Sequence, residues 1–303
     1  MTGLLTRVTE EVAAALAQHR PVVALETTLV SHGFTGGEGL AVAAESERRV
    51  RDAGATPATV GVLDGAIHVG LTRAELARFA EAGLAARKAG ARDLAACLAQ
   101  GALGATTVGG TLAVCRQIGI LFMGTGGIGG VHRGFAESLD ISGDLLQLAR
   151  TRAVVVASGA KSLLDVGATS ELLETLAVPV LGWRTGTLPR FYSASGGPPV
   201  SAVVSDSPEL ARICAAHWQL DGSAGILLAR PPADGIDIDA LMDEAVQEVR
   251  RRNLSGQAVT PAVLALVHER SGGRSAEVNR RLIADNAALA AEAAVAYAQL
   301  RRA

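Results

Sequence analysis

The sequence predicts an α/β protein: a single three-layer α/β/α domain built around a mainly parallel central sheet. Three observations predict it. Short apolar runs of strand length alternate with longer segments of helical periodicity through almost the whole chain. Those runs are apolar at consecutive positions, as in Val154-Val155-Val156-Ala157, which is the pattern of strands covered on both faces. The chain is 303 residues long with 49% hydrophobic and 19% charged residues, enough to bury one large core. No internal repeat or low-complexity linker divides residues 1–303, and Gly196-Gly197-Pro198-Pro199 reads as a loop within that one domain.

In order, residues 4–18 predict an amphipathic helix, and residues 22–25 a buried strand ending at Glu26. A helix is expected over 38–53, then a hairpin of 59–63 and 66–69 around Asp64-Gly65. Thr72 caps a helix over 73–82. A helix over 111–118 leads to a strand over 120–123, and Ser142 caps a helix over 143–150. Strands are expected over 153–157, 178–181 and 225–228. The last third is helical, over 238–252, 261–269 and 275–301, with Ser275 as the cap of the final helix.

A net charge of −2 argues against a general nucleic-acid binder. Cys97, Cys115 and Cys214 form no CxxC pair and read as small buried hydrophobes rather than a zinc or disulfide framework. The N-terminal pattern carries charges through its apolar positions, unlike a signal peptide, and apolar runs break before a membrane-spanning length. The expected setting is therefore cytoplasmic, without a membrane partner.

Of 28 basic residues, only Lys88 and Lys161 are lysines. Arginine replaces lysine readily on a solvated surface, but not where chemistry needs an amine that can lose its proton. Lys161 follows the strand 153–157 in Ser158-Gly159-Ala160-Lys161-Ser162, where small neighbours leave room for a substrate and the amine can attack a carbonyl carbon. Lys88 reads either as a second cation for the site or as a solvated helix end before Gly90. Glu26, at a strand end where ligands gather in open α/β sheets, is suited to proton transfer or to capping a neighbouring helix.

Gly124-Thr125-Gly126-Gly127-Ile128-Gly129-Gly130-Val131-His132-Arg133 contains a formal GxGxxG, but no helix follows and no acid ends the next strand, which rules against a dinucleotide site. Its glycines could cradle an anion, with Thr125, His132 and Arg133 as donors, or form a plain loop. Asp140 and Asp144 are hard oxygen donors suited to a divalent cation, or acids complementing a helix dipole.

These segments, in this order, resemble the pseudouridine-5′-phosphate glycosidase family, also called indigoidine synthase A-like, from about residue 22 to 293. The matching pieces are ALETT at 24–28, SHG at 31–33, PAT and LDG within 57–65, RKAGARDL at 87–94 and GATTVGGT at 104–111. TGGIGGVHRG at 125–134, DIS at 140–142, SGAKSLLD at 158–165 and FYS after Arg190 complete them. The resemblance implies cleavage of the C–C bond of pseudouridine 5′-phosphate to uracil and ribose 5-phosphate, a divalent metal, usually manganese (Mn2+), and a homotrimer. It implies Glu26 as proton donor, Lys161 as covalent nucleophile and Asp140 as metal ligand. Lys88, Val108, Ser142, Gly143 and Asp144 fall at substrate-binding positions, and Thr125, His132 and Asn286 where polar groups line the pocket.

Departures from the family pattern lie at Phe34–Gly39, at Gly109-Gly110 and over 184–189. A Schiff-base aldolase on an eight-stranded barrel, a non-catalytic sugar-phosphate module and a pigment-forming enzyme are the rival readings.

Overall fold

A computed structural model describes residues 5–34, 37–220, 224–252, 254 and 259–302. The chain begins β1 (Thr6–Val8), α1 (Glu10–Ala17), β2 (Val22–Glu26), α2 (Thr28–His32), α3 (Glu38–Asp52), β3 (Thr56–Leu63), β4 (Ala66–Val69) and α4 (Arg73–Ala82). It continues with β5 (Arg87–Ala89), α5 (Leu94–Ala99), β6 (Gly104–Thr106), α6 (Val108–Ile118), β7 (Phe122–Gly124), β8 (Val131–His132), α7 (Phe135–Ser138), α8 (Gly143–Ala149) and β9 (Val154–Ala157). Then come β10 (Leu164–Asp165), α9 (Val166–Thr175), β11 (Val180–Trp183), β12 (Ala202–Val204), α10 (Ser207–Leu220), β13 (Ile226–Ala229), α11 (Asp239–Arg251), α12 (Val259–Arg270) and α13 (Arg274–Leu300).

The main sheet has 11 strands in the order β1-β4-β3-β2-β7-β9-β13-β11-β12, with β6 branching from β3 and β5 pairing with β6. From β3 to β12 every neighbouring pair is parallel. Antiparallel pairing is confined to β3 with β4 and with β6. The sheet is open, ending in β1 and β12, so the barrel expected of a Schiff-base aldolase is absent from the described residues.

Alternation along the strands divides the core in two. Val23, Leu25, Phe122, Val154, Val156, Ile226 and Leu228 face Ala287, Ala290, Ala291 and Ala294 of α13 and Trp218 of α10. Val22, Ala24, Met123, Val155, Ala157 and Leu227 face the other way, toward Leu112 of α6 and Leu145 and Leu148 of α8. Alanines let α13 ride close on the sheet: a Cβ added to Gly124 would stand 2.8 Å from Ala287 Cα. No described helix is long and apolar enough to cross a membrane. All three cysteines are free and buried.

The predicted hairpin forms as expected. Asp64 and Gly65 both take positive φ, 53° and 73°, as a two-residue turn matching strand twist requires. The helix expected over 4–18 is corrected: Thr6–Val8 instead pairs in parallel with β4 as an edge strand, and the helix starts at Glu10. Leu4 lies outside the described residues. Helix α6 begins at Val108, earlier than expected, because Thr107 caps it on Gly110 N and Gly109-Gly110 are helical rather than breaking. Ser275 does not cap α13. Gly273 occupies that place at φ 84°, and the Ser275 hydroxyl is buried against His268 Nδ1 (2.6 Å) and Ser271 Oγ (2.9 Å).

Thr72 does cap α4, in a reciprocal box with Glu75. Thr72→Ala is expected to cost about 1 kcal/mol in urea unfolding, with turnover unchanged because the box makes no hydrogen bond to Glu26, Lys88 or Lys161.

Candidate active site

Glu26 ends β2 and is only 3% exposed, on the side of the sheet that carries α6. Thr125, the first residue past β7, donates its hydroxyl to Glu26 Oε1 at 2.5 Å. Asn286 of α13 fixes that threonine from behind: its Nδ2 donates to Thr125 O (2.8 Å) and to Ser158 Oγ (3.1 Å). Thr125 and Asn286 are fully buried, Thr125 against the acid itself and Asn286 against the backbone of Thr125. The other oxygen of Glu26, Oε2, is buried without a hydrogen-bond partner among the described residues. Burial raises the Glu26 pKa, against the pull of the Lys161 charge and the Thr125 hydrogen bond. Asp144 pushes it further up and Lys88 pulls it down.

Lys161 is carried by a ladder that runs on past the sheet. Ser158 N donates to Gly126 O (2.8 Å), Ile128 N to Gly159 O (3.0 Å) and Lys161 N to Ile128 O (3.1 Å). A two-stranded ribbon follows, in which His132 of β8 pairs with Leu164 of β10. These pairings explain the glycines. An added Cβ would meet Phe191 at 2.6 Å from Gly127, Ser142 at 2.2 Å from Gly129 and Thr169 at 2.3 Å from Gly130. The anion-cradle reading of this loop is narrowed accordingly, because five of its amides are already taken. The amides of Thr125, Ile128 and His132 donate to backbone carbonyls, that of Gly129 to Asp144 and that of Val131 to Thr169. The loop is glycine-rich because it is close-packed.

Lys88 sits half-buried on β5, not at a solvated helix end. Its strand is positioned by β6, which a threonine lattice locks to β3 and α2. Thr27 Oγ1 donates to Val60 O (2.9 Å), Thr28 Oγ1 to Thr106 O (2.8 Å), and Thr106 Oγ1 to Val60 O (2.6 Å). Burial lowers the Lys88 pKa and the like charge of Lys161 lowers it further, while Asp144, Glu26 and Asp140 oppose. The only two lysines of the chain therefore share one site. His32 joins them, a residue given no role by the sequence reading: its Nε2 meets Ala86 O at 3.0 Å and its Nδ1 is buried without a partner. Burial lowers its pKa, the Ala86 hydrogen bond opposes this, and Lys88 and Lys161 lower it further. Only the SHG motif pointed to it.

Asp144 ties three elements together. Its Oδ1 accepts from Gly109 N at the start of α6 (2.7 Å) and its Oδ2 from Gly129 N in the glycine loop (2.9 Å), while α8 carries it. Ser142 is the N-cap of α8, as predicted, accepting from Asp144 N at 3.2 Å. Gly143 is exposed beside it. Val108, the first residue of α6, is 1% exposed.

Asp140 has a half-exposed carboxylate, with His132 Nδ1 at 3.8 Å. Among the described residues no cluster of three or more His, Cys, Asp or Glu side chains could hold a metal. The pair suits a cation that keeps several waters and takes few protein ligands. Of the altered loop at Phe34–Gly39, Phe34 is buried, and Thr35 and Gly36 lie outside the described residues.

An open α/β sheet bearing a buried acid and two lysines at its carboxyl edge matches a known family. The profile described as Indigoidine synthase A like protein matches residues 11–296, and the chain belongs to that family. It is 46% identical over 297 residues to the pseudouridine-5′-phosphate glycosidase of Streptomyces griseus, covering 96% of this chain and 92% of that one. It is 41% identical over 295 residues to the pseudouridine-5′-phosphate glycosidase of Hahella chejuensis, covering 96% and 97%. Among solved structures, the prealnumycin C-glycosynthase AlnA in complex with ribulose 5-phosphate superimposes with a TM-score of 0.90 at 39% identity, covering 99% of both chains. An indigoidine synthase A-like protein from Thermotoga maritima gives 0.86 at 33% identity, covering 96% of both.

Asp144→Asn sets an amide NH₂ against a backbone N–H donor at Gly109 or Gly129. A loss of about 1–3 kcal/mol in thermal unfolding is expected, together with reduced turnover because α6, α8 and the glycine loop lose their common tie.

Proposed function

We propose that this chain reversibly cleaves the C–C glycosidic bond of pseudouridine 5′-phosphate, giving uracil and ribose 5-phosphate through a lysine-linked ribose. The observation that carries the reading is the buried acid Glu26, its pKa raised by burial, in the common field of Lys161 and Lys88. The relatives named as glycosidases of this substrate support it, as does a C-glycosynthase with a bound pentulose phosphate.

A C-glycoside has no leaving oxygen to protonate, so the paired-carboxylate route of ordinary glycosidases does not serve. An amine does. Lys161 Nζ forms a bond to C1′ as the C1′–O4′ bond breaks, and O4′ takes the proton of Glu26. Nζ, now cationic, gives a proton to the Glu26 carboxylate and regains its lone pair, which forms the imine as the C1′–C5 bond breaks; the uracil carbon keeps the electron pair and takes that proton. Water adds to the imine and releases ribose 5-phosphate and the free amine. Lys88 is placed to bind the phosphate, whose binding energy lies remote from the reacting bond. Val108, Ser142 and Gly143 offer main-chain and hydroxyl contacts to the same ligand.

A divalent cation, manganese by family resemblance, would be held by Asp140 with His132 beside it and would offset negative charge on substrate oxygens. A trimer is also proposed. Phe135, Leu139, Ile141 and Leu146, between residues 135 and 146, are all exposed apolar side chains, Leu139 at 73%, and an assembly that covers them would shield the segment bearing Asp140.

Two outcomes are expected. Wild-type enzyme, assayed for uracil release with and without Mn2+, should accumulate a reduced pentose-phosphate adduct on Lys161 when borohydride is added during turnover. Labelling elsewhere, or full activity of Lys161→Arg, would overturn the covalent route. Because Glu26 must carry a proton to donate, turnover should fall as pH rises through its raised pKa. Glu26→Gln should lower kcat by about 10²–10⁴-fold, abolish that alkaline limb and leave substrate affinity nearly unchanged; a loss confined to affinity would contradict the assignment.

A further inference from the structure

The segment from Leu188 to Ser193 belongs to neither the acid nor the lysine, yet it is sewn to both. Phe191 N donates to Ser158 O (3.0 Å), and Arg190 forms an antiparallel bridge with Gly159. The two strands run so close that a Cβ on Gly159 would stand 2.0 Å from Pro189 O. Outward, Arg190 is anchored to Asp239 of α11 at 2.7 Å.

Phe191 itself holds φ at 62°, in the left-handed region that a bulky side chain avoids. The strained backbone places its ring, 5% exposed, in a notch made by two glycines of the catalytic loop. An added Cβ would lie 2.6 Å from Phe191 Cδ2 at Gly127 and 3.5 Å from Cε2 at Gly126. Tyr192 backs the ring edge-on at 4.7 Å between centroids. One residue thus fills the loop that begins at Thr125, the partner of Glu26, and ties down by its own amide the segment that ends at Lys161.

We infer that Phe191 is a positioning residue for the glycosidase reaction: its ring, wedged on Gly126 and Gly127, sets the spacing between the Thr125–Glu26 pair and the backbone of Lys161. The inference rests on the function proposed above. It requires that the ring and the glycine notch act as a fitted pair, since displacing either shifts the reacting groups relative to each other while leaving the groups that hold the phosphate in place.

The test measures single-turnover borohydride trapping on Lys161, with kcat and KM, well below each variant's melting point. Phe191→Leu should lower the trapping rate and kcat by about 10- to 100-fold, as expected for a misplaced reacting group, with KM changed by less than about threefold. Phe191→Tyr, which keeps the ring, should stay within about threefold of wild type. Gly127→Ala should be comparably slow, and combining it with Phe191→Ala should restore about tenfold over Gly127→Ala alone; the residual contact of the new methyl, 3.1 Å from Gly159 O, limits recovery. Wild-type trapping rates in Phe191→Leu, strictly multiplicative losses in the double variant, or a loss lying wholly in KM would overturn the wedge. Absence of any adduct in the wild type would instead overturn the lysine-linked route.

Discussion

Past the carboxyl ends of β7 and β9 the backbone hydrogen bonds do not stop. They pass from Gly126 and Ser158 through Ile128 and Gly159 to Lys161, so this lysine hangs on a continuation of the sheet. This parallel pair is covered on both faces, so its support lies inside the core. Here it also imposes the small residues around it, because Gly127, Gly129 and Gly130 must admit Phe191, Ser142 and Thr169 at contact distance. Each of these neighbours in turn comes from a different element, which spreads the support of one lysine over much of the chain.

The acid is built by the opposite means. Glu26 is kept where water cannot reach it, so its neutral form is favoured, and Thr125 holds one oxygen while the other has no partner. A buried acid of this kind is costly on its own. Lys161 and Lys88 offset the cost with positive charge, and Glu26 and Asp144 answer their repulsion. The charges of the site are therefore mutually dependent: removing Lys161 or Asp144 alters the proton affinity of both Glu26 and Lys88.

Much of this was legible beforehand. Apolar runs such as 153–157 announced buried parallel strands, and Asp64-Gly65 announced its turn, because these signals are local. Glu26 and Lys161 stood out by falling just after such strands. What stayed hidden is non-local. Strands β5, β6 and β12 are too short to show periodicity and exist only through their pairing, so Lys88 looked like a helix end. The glycine loop read as an anion cradle because nothing in its sequence tells that Asp144 and Thr169, from other elements, take up two of its amides. Thr27, Thr28 and Thr106 are ordinary residues until the fold brings them together, and the strand Thr6–Val8 was masked by helix-like flanking residues.

The scarcity of lysine has a consequence beyond catalysis. Lys88 is half-buried and Lys161 only partly accessible, and the rest of the basic surface is guanidinium. Apart from the main-chain amino terminus, every primary amine of the chain stands in the proposed reaction chamber beside Glu26. Reactive aldehydes and sugars in solution, which modify amines broadly on most protein surfaces, would here find targets almost solely where the substrate binds. Occupancy of the chamber would then govern how fast the protein ages chemically, and a saturating ligand would act as its preservative.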